Sequence, residues 1–317
     1  MIIHDKYGRS FKTLRVSLTN SCNFSCSYCV TGNAIQERNN IKVLDYTELA
    51  GLVLTLDNVL NFDSVRLTGG EPTLYNNLLP FIKLISSGGI KNITMTTNGF
   101  LLKQKAGELA SLGIKEINVS LDAVDPDIFY LTTRRKCLDQ VLEGIETALN
   151  AGISVKLNAV IMRSINEHQV LPLIEFALSK KIKLRYLELM RMGHLYSRNF
   201  MNYFFPMNEI LEIIQSQYPV VTTYRDLSAT AKYFVLEDGF EFGIIANETE
   251  PFCFDCDRLR LDSYGNIYGC ISESMPEYIA DISANKIALK MKLNNALAHK
   301  QPLKFTGSSV SMIEIGG

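Results

Sequence analysis

Apolar and polar positions alternate in short runs along the first two thirds of the chain: LRVSLT, SVRLTG, NITMTTN, EINVSLDA, SVKLNAVIM and LRYLELM. The pattern predicts six strands. Between them the spacing changes, because YTELAGLVLTLDNVLN, LLPFIKLISSG, KQKAGELASLG, LDQVLEGIETALNAG and VLPLIEFALSKK repeat apolar residues three and four positions apart, and several close on Gly. These predict amphipathic helices. Regular alternation of strand and helix implies right-handed crossovers and a parallel sheet, either open and doubly wound or curled into part of a barrel. After about residue 217 the text becomes hairpin-like, with DG and YGN turns inside AKYFVLEDGFEFGII and RLRLDSYGNIYGC. Two regions are expected, residues 1–217 and 218–317.

In βα folds the loops after the C-terminal ends of the strands carry the chemistry. SCNFSCSYC follows the first strand, GGEPTLYNN the second, TNG the third and DAVDPD the fourth. All four belong on one rim.

Composition narrows the classes. With 32 Lys and Arg against 33 Asp and Glu, the net charge is -1, which leaves no basic surplus for nucleic acid, so any cationic site is local. The N-terminal MIIHDKYGRSFK has no apolar signal region and no run approaches membrane-span length. A cytoplasmic location without a membrane partner is expected.

Seven cysteines fall as Cys22, Cys26, Cys29, then Cys137, then Cys253, Cys256, Cys270. Two triplets far apart have metal spacing rather than a disulfide pattern, while Cys137 reads as a small buried hydrophobe. A structural zinc site needs a fourth ligand, and no histidine stands beside the first triplet. A [4Fe-4S] cluster takes one thiolate per iron, so three cysteines leave one iron open. For the second triplet, a three-thiolate zinc site completed by water stays possible beside a second open cluster.

Arg258 and Arg260 follow the CxxC at Cys253 and Cys256. On a strand they share a face, opposite Leu259 and Leu261. They are either a solvated edge or a fork for phosphate oxygens. Arg15, Arg66, Lys156 and Arg185 lie within otherwise apolar strands. Burying four such cations is costly without anions, and a triphosphate would supply them.

CxxxCxxC after the first strand, with Tyr28 before its last Cys, and GGEP after the second strand resemble the radical S-adenosylmethionine (SAM) superfamily. The resemblance implies an incomplete (βα)6 barrel with a smaller C-terminal α+β iron-sulfur domain. It implies that the open iron chelates SAM, whose cleavage yields a 5′-deoxyadenosyl radical. Tyr28, Gly70 beside Gly69, Ser120 and Met190 would bind SAM.

The order LTGGEP, TTNG, INVSLDA, VKLN, AKYF, CxxCxRxRL and a terminal IGG is similar, over nearly the whole chain, to the MoaA family of GTP 3′,8-cyclases. That likeness implies a lyase with two [4Fe-4S] clusters, converting GTP to 3′,8-cyclo-7,8-dihydro-GTP in the first step of molybdenum cofactor biosynthesis. The ribose 3′ hydrogen would be abstracted and C3′ would attack C8. GTP would meet Arg15, Arg66, Thr96, Lys156, Arg185, Arg258, Leu259 and Arg260, its guanine would sit at the second cluster, and Arg15 would serve the closing step. An electron donor, a downstream cyclic pyranopterin monophosphate synthase and a homodimer are implied as well. The tail at Gly316 and Gly317 would thread toward the active site. Asp257, where the family commonly has a neutral residue, and the segment from Arg191 to Asn199 depart from the family pattern. The rivals are a peptide-modifying radical SAM enzyme and a non-catalytic iron-sulfur carrier or sensor.

Overall fold

The computed structural model describes residues 3–30, 43–196, 199–282 and 285–316. The strands of the alternating part are β1 Thr13–Ser17, β2 Ser64–Thr68, β3 Ile93–Thr97, β4 Glu116–Ser120, β5 Ser154–Ile161 and β6 Lys183–Glu188. They pair as parallel neighbours in chain order. Leu14, Val16, Val65 and Leu67 point to the helix layer and are fully buried, while Arg15 and Arg66 between them face the other way. Period-two alternation therefore puts an apolar face against the helices and a polar face in the lumen.

The crossover helices carry their own start signals. Asp45 caps Tyr46–Leu60 by accepting from Thr47 N and Glu48 N, and Glu48 accepts from Asp45 N in return. Such a box is worth roughly 0.5–2 kcal/mol. Leu49, Leu52, Val53 and Leu56 recur on one side of this helix and are buried against the sheet, each contributing about 1.5–3 kcal/mol. The helix Pro126–Thr133 lies where only a DAVDPD loop was expected; Asp125 caps it and Pro126 opens it.

The rest of the chain extends the same sheet at both edges. β7 Val220–Thr222, β8 Lys232–Leu236 and β9 Glu241–Ile245 form an antiparallel meander, and β9 runs parallel beside β6. β10 Arg258–Leu261, β11 Asn266–Tyr268 and β12 Glu277–Tyr278 form another, with β10 parallel beside β1. Both hairpin turns place a glycine in the left-handed region, Gly239 at φ 86 and Gly265 at φ 86. The order among the described residues is β12-β11-β10-β1-β2-β3-β4-β5-β6-β9-β8-β7. Residues beyond 217 thus flank the six-stranded partial barrel on either side, and the helix Lys286–Ala298 packs on β11 and β12.

Candidate active site

The cysteine loop after β1 is held from several directions. Phe24 is buried in edge-to-face contact with Phe100 and Phe129, at 6.3 and 6.0 Å between ring centroids. Ser25 N and Ser27 N donate to Thr133 O and Thr132 O, at 3.1 and 2.8 Å, so the end of the helix Pro126–Thr133 clamps the loop. From the β2 side, Gly70 N donates to Thr19 O at 2.6 Å and Glu71 N to Ser21 O at 2.8 Å. A Cβ on Gly70 would lie 2.3 Å from Ser21 O, and one on Gly69, at φ 143, would lie 2.5 Å from Thr19 O. The two glycines let the GGEP loop touch the cysteine loop backbone to backbone. Glu71 is buried and accepts from Thr73, Thr97 and Asn98 N, which ties this loop to the end of β3.

Cys22, Cys26 and Cys29 line a cavity of about 520 Å³, and so do Cys253, Cys256 and Cys270. All six are free thiols. Among the described residues no three His, Cys, Asp or Glu side chains gather closely enough to hold a single metal ion. Burial pushes Cys22 up to about 11 and, with repulsion from Cys22, Cys29 up to about 12. Cys256 behaves otherwise. Burial alone would raise it, yet the nearby charges of Lys300 and Arg258 hold it at about 6. A thiolate is already favoured there, which is the form that binds iron.

The wall between the triplets is polar and cationic. Register places Arg260, Arg15 and Arg66 abreast on β10, β1 and β2. Like charges on adjacent strands repel. Burial, then Arg260, Arg66, Arg258 and Arg185, push Arg15 well below the ordinary guanidinium range. Arg260 and Arg66 are lowered to about 10, chiefly by burial. Some donors are satisfied: Arg66 Nε donates to Thr94 Oγ1 at 3.1 Å, Arg185 Nη2 to Asn118 Oδ1 at 2.7 Å, and Arg258 Nη1 to Ser228 O at 2.7 Å. Others are not. Arg15 Nε, Arg185 Nε, Arg258 Nη2 and Arg260 Nε are buried without a hydrogen-bond partner. Unpaired donors of this kind, converging on one cavity, fit a polyanion with several oxygens.

Thr96, Ser120, Tyr28, Gly70 and Met190 line the same cavity. The Tyr28 hydroxyl donates to Asp122 Oδ2 at 2.9 Å, and Asp122 also accepts from Val160 N. Two expected residues are placed differently. Lys156 is ion-paired with Glu116, which also lies 3.7 Å from Arg66. The Leu259 side chain is fully buried in the core, on the face of β10 away from the arginines, so only its main chain can face a ligand.

Asp257 ties β10 to β1: its carbonyl accepts from Lys12 N and Thr13 N, and its carboxylate accepts from Thr13 Oγ1 and lies 3.5 Å from Arg258. The segment after β6 holds the C-terminus. Gly193 N donates to Ser308 O at 2.9 Å and Ser308 N to Arg191 O at 3.1 Å, while Ser197 and Arg198 lie outside the described residues. From there the chain brings Met312 and Ile313 to the cavity wall and Gly316 against Ser17 and Thr68, where a Cβ would come within 2.6 Å of Ser17 Cβ. Gly317 is outside the described residues. Residues that went unnoticed in the sequence include Asn118 and Asn158, which follow from the same alternation as Arg66 and Lys156, and Lys300, for which no motif gives a signal.

Residues 16–177 match the Radical SAM superfamily and residues 182–305 match Molybdenum Cofactor Synthesis C. The chain is 38% identical to the GTP 3′,8-cyclase of Campylobacter fetus, over 84% of this chain and 82% of that one. It is 34% identical to the GTP 3′,8-cyclase of Synechocystis, over 99% and 94%. The chain belongs to the GTP 3′,8-cyclase family. Like other radical SAM proteins, this cyclase-family member uses SAM and an iron-sulfur cluster. Solved structures share its fold at 16% identity: Streptococcus suis SuiB bound to S-adenosylmethionine (TM-score 0.63, 92% of this chain and 68% of that one) and native anSMEcpe with bound AdoMet (0.63, 86% and 78%). Among the family member's described residues, no helix is long and apolar enough to cross a membrane.

Proposed function

We infer that this protein is a radical SAM GTP 3′,8-cyclase, converting GTP to 3′,8-cyclo-7,8-dihydro-GTP at the start of molybdenum cofactor biosynthesis. The carrying observation is a single cavity lined by two cysteine triplets, with a row of partly unpaired arginines between them. Cys22, Cys26 and Cys29, from residues 1–217, hold the first [4Fe-4S] cluster. Cys253, Cys256 and Cys270, from residues 218–317, hold a second. With SAM bound, the first cluster would supply one electron to the sulfonium, breaking its C–S bond to give methionine and the carbon radical that begins the reaction.

Tyr28, Gly70, Ser120 and Met190 form the SAM wall, with Tyr28 fixed by its bond to Asp122. Arg66, Arg185, Arg258 and Arg260 grip the triphosphate. Thr96 adds a hydroxyl from β3, the strand beside that of Arg66. Lys156 neutralises Glu116, so that this carboxylate does not compete with phosphate for Arg66, and Leu259 takes part through its main chain. Arg15, central in the arginine row with its Nε free, positions the reacting nucleotide and donates in the closing step. Met312, Ile313 and the Gly316 tail shield that end from water. The reaction draws on an electron donor, and its product passes to cyclic pyranopterin monophosphate synthase.

Anaerobic reconstitution tests this reading. It requires about eight irons per chain, from two cubanes, and cleavage of SAM to 5′-deoxyadenosine that depends on GTP. Cleavage triggered by a peptide instead of GTP, or no cleavage, overturns it.

A further inference from the structure

Lys300 follows the helix Lys286–Ala298 and is only 4% exposed. Its ammonium group uses three donors. Nζ lies 3.4 Å from Cys256 Sγ, 2.8 Å from Arg258 O and 2.8 Å from Gly269 O. An ammonium has three hydrogens, so the set is complete. Its partners are a thiol, the carbonyl two residues after that thiol, and the carbonyl just before Cys270. One side chain therefore joins both halves of the triplet. The approach is built in by Gly269, where a Cβ would lie 1.9 Å from Ala296 O, so the helix end carrying Lys300 packs directly on the strand that leads to Cys270. The face of Phe11 covers the ammonium from another side, 5.0 Å from the ring centroid.

A buried lysine needs a compensating anion. Of its three hydrogen-bond partners only Cys256 can carry a negative charge, as a thiolate, and the cations near it are Arg258 and Arg9. Arg9 is itself engaged, by Asp5 and by the carbonyls of Cys253 and Gln301. The counter-charge within the hydrogen-bond set of Lys300 is thus the sulfur of Cys256.

We propose that Lys300 is a positioning residue for the second cluster, whose N–H···S bond and buried charge hold the Cys256 thiolate and raise that cluster's reduction potential. This rests on the second-cluster reading given above. Reduction adds negative charge to a cluster, a nearby cation favours the reduced form, and hydrogen bonds to the ligating sulfurs act in the same direction. Lys300 meets the arginine row only at the Arg258 carbonyl, not at a guanidinium.

The test uses the full chain carrying Cys22→Ala, Cys26→Ala and Cys29→Ala, so that any cubane signal belongs to the second site. Iron content is read first. This parent must hold about four irons per chain, and zinc or no iron in it sinks the second-cluster reading together with the lysine proposal. In a parent that passes, Lys300→Met and Lys300→Arg are compared by redox titration followed by electron paramagnetic resonance. Lys300→Met is expected to shift the reduced-to-oxidised ratio at fixed potential at least tenfold toward oxidised, a midpoint lower by about 59 mV for a one-electron couple. Lys300→Arg, which keeps the charge, recovers most of that shift. A Met variant that folds but loses its irons, beside an Arg variant that keeps them, supports the same assignment. If Met does not fold, Lys300→Gln is read in its place. An unchanged midpoint in a fully loaded Met or Gln variant, or an Arg variant shifted as far as Met, overturns the proposal while leaving the second cluster standing.

Discussion

Arg66→Met separates what the arginine row does for the free protein from what it does for the substrate. In the free protein the Arg66 guanidinium is lowered from 12.5 to about 10, first by burial, then by Arg185, against a partial offset from Glu116. At about 1.4 kcal/mol per unit, its charged form is roughly 3 kcal/mol less favourable than in water. Methionine has a similar reach and no charge to desolvate. The substitution forfeits the bond to Thr94 Oγ1, about 1 kcal/mol; the 3.7 Å approach to Glu116 is already contained in the net lowering of Arg66. Glu116 keeps Lys156 as a partner. The ligand-free variant is therefore expected to be more stable than the parent by about 1–2 kcal/mol, a melting temperature higher by roughly 2–5 °C. Its affinity for GTP should move the other way. Loss of a charge-assisted bond to phosphate costs about 1.5–3 kcal/mol, or roughly 10- to 150-fold in Kd. Anaerobic calorimetry without GTP, followed by GTP titration of the same samples, reads both effects. A variant that melts lower than the parent and binds GTP equally well would refute the assignment of Arg66 to the triphosphate.

Three further outcomes follow from other parts of the site. Gly70→Ala forces the cysteine loop away from the GGEP loop, since its Cβ would lie 2.3 Å from Ser21 O; a loss of about 1–3 kcal/mol and of iron from the first cluster is expected. Gly51→Ala is its control, because it sits on a helix with nothing within 4 Å of the added Cβ, and should be neutral or stabilising by up to about 1 kcal/mol. Asp122 is raised by burial from 3.8 to about 6. The folded state holds a proton that the unfolded chain releases, so this stabilisation is present below pH 4 and is lost as pH rises to about 6. Relative to Asp122→Asn, the parent should lose up to about 3 kcal/mol across that window, measured by denaturant midpoints of the cluster-free protein; a constant gap would contradict it.

The partial barrel was legible because its strands alternate and its helices repeat on a period of three to four, two signals that are local in the chain. The helix Pro126–Thr133 was missed although Asp125 and Pro126 form a standard helix start, because its apolar pattern is too short to show a period. It matters, since it clamps the cysteine loop. The pairing of β10 with β1 and of β9 with β6 joins segments far apart in sequence, which local periodicity cannot reveal. That pairing makes Arg260 a neighbour of Arg15 and brings the second triplet to the cavity of the first. The helix Lys286–Ala298 was obscured because Ile287 and Met291 are exposed among its buried leucines. Lys300 carries no motif, and only its three short contacts reveal it.

The most direct measurement of the central claim is the fate of a deuterium label placed at C3′ of GTP during anaerobic turnover with SAM. The account predicts that the label appears in 5′-deoxyadenosine recovered from the reaction, and that none of this nucleoside forms when GTP is withheld. Deoxyadenosine free of deuterium, or produced equally well without GTP, would contradict the shared cavity as a site for this chemistry.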